Sequence, residues 1–174
     1  MRIGLGHDTH RLVEGTEITL GGVRIPFDCS LAGHSDADVL LHAITDALLG
    51  AAAMGDIGDL FPDSDPANRG RSSVEMLQIA YRQVREKGFG LVNLDCILFA
   101  EKPKLGPLKQ TIRSRLAEIL EVEPDRVSLK AKTGEKVGPV GRLEAISAEA
   151  VVLLEKAPHR FRIDADECFN RGTE

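Results

Sequence analysis

Four of the five histidines in this 174-residue chain fall in two short runs, MRIGLGHDTH at 1–10 and GHSDADVLLH at 33–42. The fifth, His159, stands in a charged tail. Asp8 and His10 are two positions apart in a stretch without helical periodicity, and on a strand that spacing points both side chains to one face. His42 lies one to two turns into the apolar-periodic segment that follows. If that helix packs across the end of the first strand, Asp8, His10 and His42 meet. One carboxylate and two imidazoles make a zinc triad with a fourth position open, although imidazole also suits other divalent transition metals. The competing reading is a chance D-x-H beside an ordinary helix histidine. His7, on the opposite face of the strand from Asp8, reads as structural. Asp38 and Asp46, one turn either side of His42, are placed either to orient its imidazole or to form a solvated helix face.

Three further segments carry anion chemistry. His34-Ser35 directly precedes the helix, where free backbone N–H groups and the helix dipole favour a phosphate; the alternative is an ordinary N-cap. The stretch KAKTGEKVGPVGRLE (130–144) brings Lys130, Lys132, Thr133, Glu135, Lys136 and Arg142 into a glycine-rich turn. It lacks the Walker spacing, so it is not a P-loop, and it reads as a phosphate contact or a charged surface turn. AEKPKLGP (100–107) is a loop with two lysines able to reach an anion.

The elements that must position these groups follow from periodicity and punctuation. Residues 2–12 read as a strand. TEITLGGVRIP reads as a hairpin turning at Gly21-Gly22 and closed by Pro26. Residues 36–54 read as a helix, with Ser35 as N-cap and Asp36 and Asp38 in its first turn. The Gly-, Pro- and Asp-rich stretch 55–70 is too long for a simple connector. A second helix spans 72–87 and stops at Gly88, a strand 91–103, a third helix 107–121 with Pro107 in its first turn, and a strand 126–133. Residues 143–156 fit both periods, with a lean to strand, and 157–174 are polar and aperiodic. Interspersed strands and helices predict an α/β or α+β fold in one layered domain, 1–156, followed by a tail.

Composition narrows the class. Hydrophobic residues make up 43% and charged residues 28%, as in ordinary soluble domains. The net charge of −5 and the lack of a basic block argue against a nucleic-acid surface. Cys29, Cys96 and Cys168 are scattered, with no CxxC, which favours a reducing compartment. No apolar run reaches membrane-spanning length. Strand-like sequence directly after Met1 leaves no room for a leader, so the expectation is a cytoplasmic protein without a membrane or nucleic-acid partner.

Taken together, G-x-D-x-H at the start, HSDADVLLHAITDALLGAAAMGDIGDLFPD and KAKTGEKVGPVGR resemble the 2-C-methyl-D-erythritol 2,4-cyclodiphosphate synthases of the non-mevalonate isoprenoid pathway, over roughly residues 1–156. The resemblance implies a lyase that releases CMP from 4-diphosphocytidyl-2-C-methyl-D-erythritol 2-phosphate as the 2-phosphate attacks the β-phosphorus, with positioning and charge stabilisation carrying catalysis. It implies zinc, or another divalent transition metal, on Asp8, His10 and His42. It also implies magnesium or manganese on the substrate diphosphate, touched by Glu135. His34 and Thr133 become the residues that stabilise the transition state. Asp8, Thr9, His10, His34 and Ser35 would contact the phosphate side. Asp56, Ile57 and Gly58, with Phe61, Pro62, Asp63, Ser64 and Asp65 nearby, would hold the sugar alcohol. Ala100, Glu101, Lys102, Pro103, Lys104, Leu105 and Gly106 would form the cytidine pocket, and Lys132, Thr133, Gly134 and Glu135 the second phosphate segment. The implied architecture is a mixed β-sheet with helices on one face, assembled as a homotrimer around a central β core with active sites between subunits. That reading takes 143–156 as a strand near the threefold axis. Pro139 and Arg142 would border an axial cavity, where relatives often carry an aromatic in place of Pro139, which puts isoprenoid diphosphate binding there in doubt. Two rival classes remain on the residues alone, a zinc phosphohydrolase and a non-enzymatic assembly with a structural metal.

Overall fold

The protein is described here from a computed structural model that covers residues 1–33, 35–62 and 64–156. His34, Asp63 and the 157–174 segment lie outside the described residues. In chain order the elements are strands β1 (Arg2–Glu14), β2 (Glu17–Leu20), β3 (Val23–Pro26) and β4 (Cys29–Leu31), then helices α1 (Val39–Ala52), α2 (Ile57–Leu60) and α3 (Ser73–Glu86). Strand β5 (Phe89–Phe99), helix α4 (Lys109–Leu120), strand β6 (Val127–Lys132), helix α5 (Gly138–Gly141) and strand β7 (Ala145–Lys156) complete it. Five strands form one mixed sheet in the order β4-β1-β7-β5-β6, with only β5 and β6 parallel.

Alternation along the central strands decides the layering. Ala148, Ala150, Val152 and Leu154 of β7 and Leu94, Cys96 and Leu98 of β5 are buried, so one sheet face is covered by helices. The other face leaves Ile3 and Leu5 of β1 73% and 69% exposed, with Val151 of β7 beside them at 42%. The segment 143–156, whose pattern fits two periods, is a strand because it runs between β1 and β5, where period-two burial is enforced on it from both edges.

Helix α1 is the centre of the core. Eleven of its fourteen residues are buried, the pattern of a helix enclosed on all sides. It lies directly on β1 because that strand carries Gly4 and Gly6 on the covered face. A Cβ at Gly4 would overlap the carbonyl oxygen of Ala47, and one at Gly6 that of Ala43. Glycine on the strand and alanine on the helix together set the close approach.

The structure corrects the start of this helix. The sequence places it at residue 36 with Ser35 as cap, but α1 begins at Val39 and Asp38 is the N-cap. The reason is nonlocal. The β2–β3 hairpin turns at Gly21 (φ 61°) and Gly22 (φ 74°), a two-residue turn that needs positive φ at both positions. That turn presents its N–H groups to Asp38. The carboxylate is fully buried and accepts from Gly21 N (2.9 Å), Gly22 N (2.7 Å), Leu40 N (3.2 Å) and Leu41 N (3.2 Å). The 55–70 stretch is likewise more ordered than a loop: Asp56 and Asp59 close a capping box around α2, and a 3₁₀ turn spans Pro66–Asn68. The third helix proper starts at Lys109, after a 3₁₀ turn over Gly106–Leu108.

Candidate active site

Asp8 and His10 lie on the covered face of β1, and α1 carries His42 over the same spot. Asp8 Oδ2 is 3.0 Å from His10 Nε2 and 3.0 Å from His42 Nδ1, and the two nitrogens are 3.1 Å apart. Three lone-pair atoms at such spacing repel unless a positive charge, proton or metal, stands among them. The separations approach the edge of a tetrahedron built on bonds of about 2.0–2.1 Å, roughly 3.3–3.4 Å. The remaining atoms of the three side chains are already engaged. Asp8 Oδ1 accepts from Thr9 N at 2.7 Å. His10 Nδ1 faces the carbonyl of Ala32 at 2.5 Å, and since a carbonyl only accepts, the hydrogen sits on Nδ1 and Nε2 keeps its lone pair. His42 Nε2 faces Ser73 Oγ (2.9 Å) and Ser35 Oγ (3.0 Å). The donor set fits a divalent transition metal, and among the described residues no fourth His, Cys, Asp or Glu joins it. That leaves room for a substrate oxygen.

Electrostatics agree with the geometry. Burial alone would raise the Asp8 carboxyl, but hydrogen bonds from His10 and His42 and their charge hold it well below the ordinary carboxylate range. Burial alone would lower His10; without a metal, the imidazolium form, with a hydrogen on Nε2 as well as Nδ1, gains a hydrogen bond to Asp8 and the charge of that carboxylate, which raises it instead.

The triad opens into a cleft of about 550 Å³, whose walls include Ser35, Asp46, Ile57, Gly58 and Phe61. Asp46 does not orient His42. Its Oδ1 accepts from Ile57 N at 2.8 Å and so holds the 56–58 segment over the cleft, and burial raises its carboxyl. Asp38, the other residue proposed to orient His42, is spent on the cap. Asp56 turns its carboxylate to Asp59 N at 2.9 Å. Phe61 is buried, with the Arg71 guanidinium 5.4 Å from its ring centroid. Asp65 caps the 3₁₀ turn, and Pro62 and Ser64 are exposed. Thr9 serves the site through its N–H only; its hydroxyl is on the opposite sheet face, donating to Ser147 Oγ at 2.9 Å.

A second cleft, of about 160 Å³, lies at the far side of the sheet. Parallel β5 and β6 end together, and Ala100 N continues their ladder to Lys132 O at 2.9 Å. The loops that follow therefore emerge side by side. Ala100, Pro103, Lys104, Leu105, Gly106, Lys132 and Thr133 line this cleft, which shares no lining residue with the first. Glu101 ties the loops together by accepting from Gly134 N (3.2 Å) and Lys136 N (3.4 Å). Thr133 Oγ1 donates to Glu135 Oε1 at 2.7 Å. Lys102 is exposed. Pro139 is exposed in α5, and Arg142 pairs bidentately with Glu144; neither lines either cleft. Ser73, which meets His42, carried no signal in the sequence beyond the start of a helix.

Comparison with known proteins places these features in a family. The model of the YgbB family matches residues 1–155. The 2-C-methyl-D-erythritol 2,4-cyclodiphosphate synthase of Laribacter hongkongensis is 56% identical over 89% of this chain and 96% of its own. The IspD/IspF fusion structure from Campylobacter jejuni matches with a TM-score of 0.86 at 42% identity, over 89% of this chain and 42% of that one. A 2C-methyl-D-erythritol-2,4-cyclodiphosphate synthase solved with CDP matches with a TM-score of 0.82 at 42% identity, over 88% of this chain and 100% of that one. The chain therefore belongs to the YgbB family, the 2-C-methyl-D-erythritol 2,4-cyclodiphosphate synthases of isoprenoid biosynthesis.

Proposed function

We propose that this chain converts 4-diphosphocytidyl-2-C-methyl-D-erythritol 2-phosphate to 2-C-methyl-D-erythritol 2,4-cyclodiphosphate and CMP. The observation that carries the reading is the convergence of Asp8, His10 and His42 at the wall of a cleft that also presents Ser35. The 2-phosphate oxygen attacks the β-phosphorus, one P–O bond forms, the P–O bond to the α-phosphate breaks, and CMP leaves. No protein nucleophile is required, so catalysis rests on holding two anions in line. Asp8, His10 and His42 would hold a divalent metal, zinc first among the candidates, which would supply charge stabilisation to the phosphates.

The chain's own residues divide the remaining work. Ser35, with His34, binds phosphate beside the triad. Asp46 steadies Asp56, Ile57 and Gly58, which receive the sugar alcohol, with Phe61, Pro62, Asp63, Ser64 and Asp65 nearby. The loop from Ala100 to Gly106 takes the cytidine, in line with CDP-bound relatives. Lys132, Thr133 and Gly134 take the second phosphate, and Thr133 donates to it as charge develops. Glu135 would contact the magnesium or manganese ion that accompanies the diphosphate.

One protomer divides these groups between two clefts, which supports a site completed by a neighbouring subunit. The exposed Ile3, Leu5 and Val151 support a threefold assembly that buries the open sheet face. The same assembly brings Pro139 and Arg142 toward its axis. The scattered cysteines favour the cytoplasm, and among the described residues no helix is long and apolar enough to cross a membrane.

The reading is tested by incubating the protein with the cytidyl substrate and magnesium and following phosphorus NMR. CMP and a cyclic diphosphate in equal amounts are expected. Release of inorganic phosphate in place of the cyclic product would mark a phosphohydrolase instead.

A further inference from the structure

His42 turns one nitrogen toward Asp8 and His10. The other, Nε2, points between α1 and α3 at two hydroxyls that are not equivalent. Ser73, the first residue of α3, is fully buried, and its Oγ donates a hydrogen bond to Asp36 Oδ1. A carboxylate only accepts, so the single hydroxyl proton of Ser73 is committed to Asp36. Ser73 Oγ then meets His42 Nε2, 2.9 Å away, with a lone pair. The hydrogen of His42 must lie on Nε2. Ser35 Oγ accepts from Ala37 N at 3.1 Å, and with the hydrogen of His42 on Nε2 the Ser35 proton has only the long contact to Ser73 Oγ, 3.4 Å away, within reach. Asp36 is itself held, because its Oδ2 accepts from Ser73 N at 3.1 Å and its N–H donates to Arg71 O at 3.3 Å.

We propose that Asp36 and Ser73 are positioning residues for the metal centre. They fix His42 in the tautomer whose Nδ1 lone pair is aimed at Asp8 and His10. This rests on the reading of Asp8, His10 and His42 as metal ligands. The relay runs carboxylate, hydroxyl, imidazole. It fixes the ring and makes Nδ1 a better ligand, as carboxylates hydrogen-bonded to metal-binding histidines do directly. It also gives the two serines beside His42 different roles. Ser73 supports the ligand, while Ser35 holds a proton free for an anion in the cleft. Neither Asp36 nor Ser73 touches the substrate in this account.

The test uses metal-stripped protein reloaded with zinc, with affinity read by competition against a chromogenic chelator. Ser73→Ala is expected to bind zinc about 10–100-fold more weakly than the wild type. Asp36→Ala, on an exposed residue, releases the Ser73 proton toward Nε2 and is expected to weaken zinc similarly. Asp36→Asn, which retains an acceptor oxygen, is expected to lose much less. Ser35→Ala is expected to keep zinc affinity within about twofold. In proton NMR of the zinc-loaded protein, the slowly exchanging His42 Nε2–H should be present in the wild type and in Asp36→Asn, and lost in Ser73→Ala and Asp36→Ala. Zinc affinity within twofold of wild type in folded Ser73→Ala or Asp36→Ala, with that signal intact, would overturn the proposal. A wild-type protein without tight zinc would overturn the metal reading, and this proposal with it.

Discussion

His42 Nδ1 stands 3.0 Å from Asp8 Oδ2, across 34 residues of chain, because β1 has no side chain where α1 crosses it. Gly6→Ala places a methyl against the Ala43 carbonyl oxygen, which is backbone and cannot step aside. The expected cost is about 3–5 kcal/mol in denaturant unfolding, with loss of bound metal as α1 lifts from the strand. Gly50→Ala is the matched control. It lies in α1 with nothing within 4 Å of the added Cβ, and it should be neutral or gain up to about 1 kcal/mol.

Asp38 makes stability depend on pH in a stated direction. Burial pushes its carboxyl up to about 6, against the amides of Gly22, Gly21 and Leu41 that favour the charged form. A carboxyl raised on folding contributes stability that is complete below its unfolded value of 3.8 and is lost as pH rises through about 6. Between pH 4 and pH 7 the metal-free wild type should lose roughly 2 kcal/mol relative to Asp38→Asn, which has no proton to release. At pH 4 the variant should be the less stable of the two by about 1–3 kcal/mol, since its NH₂ leaves one of the four N–H groups without an acceptor. Parallel pH profiles would show that Asp38 is not the group responsible.

Much of this was legible in the residues. Period two on the first strand puts Asp8 and His10 together, and the same rule puts Thr9 on the other face, where its hydroxyl is found. The start of α1 was not legible. Ser35, Asp36 and Asp38 are all good cap residues, and what selects Asp38 is the amide pair of a hairpin turn 16 and 17 residues earlier. Strand β7 was ambiguous because its run of small and aliphatic residues fits either period until its neighbours on both sides are known. The link from Asp36 through Ser73 to His42 was not legible either, since it depends on how α3 packs against α1, which no local pattern records.

Glu101 couples the cytidine loop to the phosphate loop through Gly134 N and Lys136 N. Glu101→Ala should loosen the turn that carries Thr133 and Glu135, raising KM for the cytidyl substrate about tenfold, the order of one charge-assisted hydrogen bond. Zinc content should stay unchanged, because the triad lies in the other cleft. Glu101→Gln keeps one acceptor and should fall between. Unaltered steady-state kinetics in Glu101→Ala would show that the coupling has no functional weight.

Division of the site between two clefts predicts complementation. His42→Ala is to be mixed equally with a chain carrying Lys104→Ala and Thr133→Ala, unfolded and refolded together. Each parent alone should be inactive. In a threefold ring with sites across each interface, random assembly restores both intact halves at about a quarter of all sites. Mixed trimers verified by native mass spectrometry yet inactive would refute a shared site.

If Asp8, His10 and His42 hold the metal on which turnover depends, zinc titration of metal-stripped protein will show it. With magnesium and the cytidyl substrate present, CMP release should rise in proportion to zinc bound and level off at one zinc per chain. His42→Ala should neither bind that zinc nor turn over. Full CMP release from stripped protein without zinc, or retention of both zinc and activity by His42→Ala, would rule out these three residues as the ligands of a metal needed for turnover.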